Sequence, residues 1–110
     1  MKLISSLVRP ERLDAIKKGL GSINVVALTV AEARDHSPQR HETTVWMGRE
    51  CHVGSSLKVE IRMVVHDNDV DDVIDVIMRL ARTGTAGDGH VCVMSVEHRY
   101  NICTGQREVS

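Results

Sequence analysis

The chain has 110 residues, 42% of them hydrophobic, and a formal net charge of −1. This length fits a single domain with its own core, and scattered basic residues argue against a nucleic-acid partner. The apolar start, residues 1–8, is too short to span a membrane and lacks a small-residue cleavage site, so we expect a cytoplasmic protein. Cys51, Cys92 and Cys103 form no C-x-x-C pair, which argues against a disulfide framework or a zinc knuckle.

The first part of the chain predicts a strand, a helix and a second strand. Residues 2–8 have the composition of a buried strand, and Arg9-Pro10-Glu11 is typical of a helix start because proline's missing N–H costs little there. The apolar stripe of this helix is marked by Leu13, Ile16, Leu20 and Ile23. Residues 25–34 have strand composition.

A long polar segment, about residues 35–56, follows the second strand. It shows neither helical nor strand periodicity and is rich in histidine and arginine. A loop of this length in a small domain is usually functional, and the alternative is an inert flexible hairpin. Its length and polarity predict that it is mobile without a partner.

The second part of the chain repeats the strand–helix–strand order. Residues 57–65 alternate between apolar and polar side chains, which indicates a strand with one buried face. Asp67-Asn68-Asp69 supplies capping side chains and negative charge for a helix. That helix has its apolar stripe at Val70, Val73, Ile74, Ile77, Met78 and Ala81. A last strand runs from His90 to about Val96, in which Cys92 is predicted to be a small core residue.

This order of elements predicts an α+β, ferredoxin-like βαββαβ fold in a single domain, residues 1–110. The fold has a four-stranded antiparallel sheet with both helices on one face. The core must be aliphatic, because Trp46 and Tyr100 are the only aromatic residues besides histidine. The other face of the sheet is left uncovered, so we expect a homo-oligomer.

The loop between the second helix and the last strand, residues 83–89, holds three glycines and Asp88. Successive amides in such a loop form a concavity that binds anions. The alternative is a tight connection in which Gly84 is the residue that follows the helix C-cap. Asp88 either caps amides in this loop or activates water.

Several motifs along the chain resemble those of the PII signal-transduction proteins, in the order and spacing of that family. They are Met1-Lys2-Leu3-Ile4 with Val8 and Pro10, Leu28-Thr29-Val30 with Glu32, Lys58-Val59 with Ile61 and Val64-Val65, Ala81-Arg82-Thr83-Gly84, Gly87-Asp88-Gly89, Val96-Glu97 and Thr104-Gly105.

The resemblance implies a homotrimer with nucleotide sites in the clefts between subunits. It places adenine near Thr29 and the backbone of Val64, and phosphates against residues 87–89. Gln39 would help bind Mg²⁺ and 2-oxoglutarate, with Lys58 and Gly87 contributing to the latter. The segment 35–56 corresponds to the family's T-loop, which docks on a transporter or metabolic enzyme, and the candidate docking residues are Trp46, Arg49 and Cys51.

Other positions depart from the family's pattern. Ser37, which we expect to contribute to the nucleotide site, and Pro38 stand where the family has a glycine and an arginine. Cys51 replaces a tyrosine that some members modify, so that modification cannot occur here. His90, Asn101 and Cys103 stand where a lysine and two arginines bind phosphates. Each charge-assisted hydrogen bond contributes about 1.5–3 kcal/mol, so losing three weakens triphosphate binding by several kcal/mol. Two residues offer compensation, namely Arg99 beside this region and a protonated His90.

The sequence also leaves other functions to consider. A metal site built on Cys51-His52 would bring soft and borderline ligands together in a trimer, and clefts that respond to bicarbonate or metal would keep the same fold. Catalysis has no nucleophile–base–orienter set to support it, so we expect no enzyme. The sequence therefore favours a nitrogen-regulatory, PII-like protein that senses a small anionic metabolite, most simply an adenine nucleotide.

Overall fold

The structure, a computed structural model, describes residues 1–36, 43–46, 49–52 and 56–108, with the backbone alone for the two short middle ranges. Two α-helices and eight strands occur in these residues: β1 (Lys2–Val8), α1 (Leu13–Gly19), β2 (Ala27–Asp35), β3 (Thr43–Trp46), β4 (Arg49–His52), β5 (Ser56–Val65), α2 (Val70–Ala81), β6 (Gly89–Ser95), β7 (Arg99–Tyr100) and β8 (Arg107–Glu108). Short 3-10 turns flank the helices at Pro10–Arg12, Leu20–Ser22 and Asp67–Asp69.

The four long strands form one antiparallel sheet in the order β2-β5-β1-β6. Both halves of the chain contribute a strand to the centre and a strand to an edge. The α+β fold with a four-stranded antiparallel sheet and two helices is therefore confirmed, and it is consistent with the ferredoxin-like arrangement. No helix among the described residues is long and apolar enough to cross a membrane.

The core lies between one face of the sheet and the two helices. Alternate residues of β1 and β5 point into it, which is the two-residue period expected of strands with one covered face. The predicted buried strand β1 is buried on this face, at Ile4, Ser6 and Val8, and half-buried at its other positions. The buried hydrophobic residues are aliphatic, as predicted: Ile4, Val8, Ile16, Leu20, Val59, Ile61, Met63, Val65, Val73, Val76, Ile77 and Ala81.

The starts of the two helices differ in how far they follow the sequence signals. Pro10 lies at the start of the first helical turn, as predicted. The predicted capping of the second helix is wrong, because neither His66 nor Asp69, the residues at the two N-caps described there, makes a side-chain capping hydrogen bond. Asp67 instead contacts the N-terminal ammonium of Met1 at 3.0 Å, an ion pair that holds the start of β1 beside the turn before α2.

The segment between β2 and β5 contains regular structure that the sequence pattern did not predict. β3 and β4 pair antiparallel, with Thr43 opposite His52 and Trp46 opposite Arg49. The run Thr43–Trp46 is rich in β-branched and aromatic residues, which favour strands, but four residues are too few to show a period.

The predicted burial of Cys92 is wrong. Its strand pairs it with Ser5, whose neighbours Ile4 and Ser6 point toward the helices, so Cys92 lies on the opposite face of the sheet. That face carries no described helix, and the thiol is exposed. The alternation of valine and cysteine in β6 fixed which residues share a face but not which face is covered.

Candidate functional site

The glycine loop, residues 83–89, is organised around the carboxylate of Asp88. Oδ2 accepts hydrogen bonds from the backbone N–H groups of Thr83 at 2.8 Å and Gly84 at 2.9 Å. Oδ1 accepts from the Thr83 hydroxyl and from Arg9 Nε, the latter at 2.9 Å. Together these bonds lower the pKa of Asp88 far below its usual range, with the Thr83 hydroxyl as the largest cause and Arg9 as the next.

These contacts decide whether Asp88 caps amides or activates water. The carboxylate accepts four hydrogen bonds in all, so it caps amides and carries no proton to exchange near neutral pH. The Thr83 and Gly84 amides are committed to it, and an anion must use donors further along the loop. The placement of Gly84 directly after the helix C-cap is wrong: α2 ends at Ala81 with Arg82 as its C-cap, and Gly84, with φ +86°, comes two residues later.

Arg9, which follows β1, contacts this loop, and the sequence pattern did not predict that contact. Its guanidinium forms the ion pair with Asp88 and also donates from Nη2 to the carbonyl of Ala86 at 3.2 Å. The two residues are 79 positions apart in the chain. The contact follows from strand pairing. Because Val8 pairs with Gly89 in antiparallel strands, Arg9, just after β1, lies beside Asp88, just before β6.

Gly89 is needed where β6 begins. A Cβ built there would lie 1.7 Å from the carbonyl oxygen of Leu7, and its φ is +108°. The close approach of β1 explains this glycine by packing alone. Beside it, an open groove of about 160 Å³ runs between the end of α2 and the start of β6, and His90 is exposed along its rim.

Thr29 and Val64 line a second groove. They lie on neighbouring strands, since Thr29 pairs with Arg62 and Val64 pairs with Ala27. The side chains of Thr29 and Val64 both lie on the face of the sheet that carries no described helix. The groove has a volume of about 200 Å³ and is also lined by Leu3 and Arg62. The structure therefore brings together the two residues predicted to bind the base.

Thr29, on β2, and Gly89, on β6, lie on opposite edge strands of the sheet, although the Thr29 groove extends across β5 to Leu3 on β1. Three strand spacings separate the edges, roughly 14 Å at about 4.8 Å each. Thr29 is also level with Cys92 rather than with Gly89, because Thr29 pairs with Arg62, Arg62 with Ser5 and Ser5 with Cys92. This separation is greater than the distance from the base of a nucleotide to its first phosphate.

Lys58 lies at the same end of the sheet as the glycine loop. Its neighbour Val59 pairs with Val8, which in turn pairs with Gly89. The side chain is 2% exposed, and its ammonium donates to Ser56 Oγ at 2.7 Å. The long connection also leaves the sheet here, since Asp35 pairs with Ser56.

The remaining residues predicted for this end are described only in part. Ser37 and Gln39 lie outside the described residues. Trp46, Arg49 and Cys51 lie on β3 and β4, for which the backbone alone is described. Their predicted roles stay predictions.

Asn101 and Cys103 lie in a C-terminal hairpin, β7–β8, that the sequence analysis did not predict. Asn101 Nδ2 donates to Glu108 Oε1 at 3.2 Å, and Asn101 Oδ1 accepts from the backbone N–H of Thr104 at 3.2 Å. Arg99, the predicted substitute for the lost cations, forms an ion pair with the other oxygen of Glu108. Cys103 is exposed in the turn. The hairpin therefore uses the polar groups of Asn101 and Arg99 internally.

No group of three or more histidine, cysteine, aspartate or glutamate side chains within the described part of the chain is placed to hold a metal ion. The side chains of Cys51 and His52, on which the metal alternative depends, are outside that part.

Comparison with known proteins identifies the family. The chain matches the family profile described as "Nitrogen regulatory protein P-II" over residues 1–106. It is 37% identical over 107 residues to the nitrogen regulatory protein P-II of Microchaete diplosiphon, an alignment that covers 97% of this chain and 96% of that protein. The identity and coverage are the same for the protein of that name from Nostoc punctiforme. The chain belongs to the nitrogen regulatory protein P-II family, a family of signal-transduction regulators.

Proposed function

We infer that this protein is a cytoplasmic PII-type regulator that binds an adenine nucleotide between subunits of a homotrimer. The base binds at Thr29 and Val64 of one subunit, and the first phosphate binds at Gly87–Gly89 of another. The long connection between β2 and β5 then docks on a transporter or metabolic enzyme. Ligand binding regulates docking to the extent that it favours one conformation of that connection over another.

One observation carries the inter-subunit proposal. Thr29 lies on the edge strand opposite Gly89, and Val64, on β5, is level with Met94 rather than with Gly89, so both base residues are too far from the predicted phosphate loop for one nucleotide to reach it within a chain. If a second copy of the chain places its glycine loop beside the Thr29 groove, one nucleotide can contact both. The same association covers the face of the sheet that no described helix covers.

The proposed preference for fewer phosphates rests on charge. His90, Asn101 and Cys103 supply no permanent cation, and Arg99, the hairpin arginine predicted to compensate, is paired with Glu108. The glycine loop itself contains a carboxylate whose charge is balanced by Arg9. The missing cations therefore weaken the affinity for AMP or ADP less than the affinity for ATP.

The inter-subunit site is tested by complementation. Thr29→Arg blocks the base groove, and Gly87→Asp places a second carboxylate in the phosphate loop. Each variant alone should lose AMP binding in calorimetry, and refolding the two together should restore part of it, because mixed trimers contain sites with both halves intact. Trimers that form without any restored binding would contradict the proposal, as would tight binding of bicarbonate but not of any adenine nucleotide.

The phosphate preference is tested by restoring the cations. The combined change His90→Lys, Asn101→Arg and Cys103→Arg should strengthen ATP binding far more than AMP binding, because only the longer phosphate chain reaches all three. The matched control replaces the same three residues with glutamine, which tests whether the lost Asn101 hydrogen bonds alone matter. Tight, Mg²⁺-dependent ATP binding by the unchanged protein, hardly improved by the cations, would overturn this preference.

A further inference from the structure

Arg9 makes a contact in the glycine loop that its ion pair with Asp88 does not require. Nε of Arg9 binds Asp88, which already accepts from three groups of Thr83 and Gly84. Nη2 reaches past the carboxylate to the carbonyl oxygen of Ala86 at 3.2 Å. That carbonyl belongs to the peptide that links Ala86 to Gly87.

The geometry of this peptide fixes the direction of the next N–H group. In a trans peptide the C=O and N–H bonds point in opposite directions. Because Arg9 draws the Ala86 carbonyl toward the end of β1, the N–H of Gly87 points away from Arg9. Gly87 has φ +95° and no Cβ, so sterics oppose rotation of this peptide only weakly. The Arg9 hydrogen bond therefore selects one of two accessible orientations.

The choice of orientation matters because amides are scarce in this loop. Asp88 takes the N–H groups of Thr83 and Gly84, and the Thr83 hydroxyl accepts from the N–H of Thr85 at 3.2 Å. These bonds commit the amides of residues 83–85, and Gly87 is the first of residues 87–89, which are predicted to bind the phosphate. A flipped peptide would present the Ala86 carbonyl to an anion in place of that N–H.

We propose that Arg9 is a positioning residue for the anion site: it holds the Ala86–Gly87 peptide so that the Gly87 N–H faces the bound phosphate. Arg9 itself does not bind the phosphate, because its charge is balanced by Asp88 in the ion pair. Its effect is on the direction of a donor. This role rests on the proposed function of the glycine loop.

The test uses Arg9→Gln in the full-length chain labelled with ¹⁵N. Without ligand, the nuclear Overhauser effect between Hα of Ala86 and the amide proton of Gly87 should change, because a peptide flip rotates ψ of Ala86 by about half a turn. The amides of Thr83 and Gly84 should keep their protection from exchange, since Asp88 still accepts from them. The affinity for AMP should fall about tenfold, the loss of one hydrogen bond to a charged group.

Two further variants separate positioning from general support. Arg9→Lys keeps a charged donor and should recover most of the Gly87 signal and of the AMP affinity, whereas Arg79→Gln, on the exposed side of α2, removes the same charge and should change neither. An unchanged Gly87 signal in Arg9→Gln would overturn the proposal. Exchange of Thr83, Gly84 and Gly87 that rises together would also overturn it, because Arg9 would then only support the loop.

The ligand-free signal keeps this test distinct from that of the proposed function. If the unchanged protein binds no AMP, the proposed function fails, and the role of the Gly87 amide as a phosphate donor fails with it. If it binds AMP and Arg9→Gln binds equally well, only the positioning role of Arg9 fails.

Discussion

The glycine loop and the C-terminal hairpin flank the same strand, β6, and each is built around an acidic residue paired with an arginine. In the loop, Asp88 pairs with Arg9 from the end of β1, 79 positions away. In the hairpin, Glu108 pairs with Arg99 on the neighbouring strand. The Arg9–Asp88 pair forms only when the sheet is assembled, whereas the Arg99–Glu108 pair joins two residues of one short hairpin.

This difference bears on the proposed nucleotide site, to which both regions are predicted to contribute. The loop keeps the residues of the PII pattern, and its shape depends on a long-range contact. The hairpin has Asn101 and Cys103 where the resemblance predicts two arginines, and the Asn101 amide bonds to Glu108 and to the Thr104 N–H within the hairpin. Its shape therefore needs no ligand.

The largest expected contrast comes from replacing one glycine in each region with alanine. Gly89→Ala should destabilise the protein by about 3 kcal/mol or more, because overpacking costs about 1–3 kcal/mol and a left-handed residue with a Cβ about 1–2 kcal/mol. Gly105→Ala, where φ is +71° and the added Cβ meets open space, should cost about 1–2 kcal/mol. Urea denaturation measures both. Equal losses of unfolding free energy in the two variants would show that β1 and β6 can move apart to accept the added Cβ at little cost.

A smaller effect is expected from releasing Arg99. Glu108→Gln removes the ion pair but keeps an oxygen for Asn101, so the hairpin should stay folded and its arginine should become available to a phosphate. One charge-assisted hydrogen bond is worth about 1.5–3 kcal/mol, which corresponds to about tenfold tighter ATP binding or more, with less change for AMP. Calorimetry measures both affinities. Unchanged ATP binding would place Arg99 away from the phosphates.

The smallest effect concerns acid. Because the folded-state pKa of Asp88 is lowered, the stability it contributes is fully present above its unfolded value of about 3.9 and is lost as the pH falls toward the folded-state value. The midpoint of urea unfolding should therefore drop less between pH 5 and pH 2 in Asp88→Asn than in the unchanged protein. Asp14→Asn, exposed on α1, is the control. Parallel acid profiles for the unchanged protein and Asp88→Asn would contradict the role of this carboxylate.

Sequence patterns predicted the main elements because these depend on local periodicity and composition. The alternation of apolar residues in β5 and the stripe on α2 are repeated often enough to indicate the elements. On α2 the predicted buried face is right for Val73, Ile77 and Ala81 but wrong for Met78, which is exposed, and it omits the buried Val76. β3, β4 and the C-terminal hairpin are too short for a period, and they were not predicted. The residues that match the PII pattern indicated the family, and both comparisons with named relatives confirm it.

By itself, the sequence determined the order of the elements, the aliphatic core and the membership of the family, because all three depend only on residue types and their spacing. The tertiary structure decided what each polar group contacts. It placed Thr29 and the glycine loop on opposite edges of the sheet, committed Asp88 to Thr83 and Gly84, and brought Arg9 to the Ala86 carbonyl. These contacts follow from strand register, and register is fixed only when the two halves of the chain pack against each other.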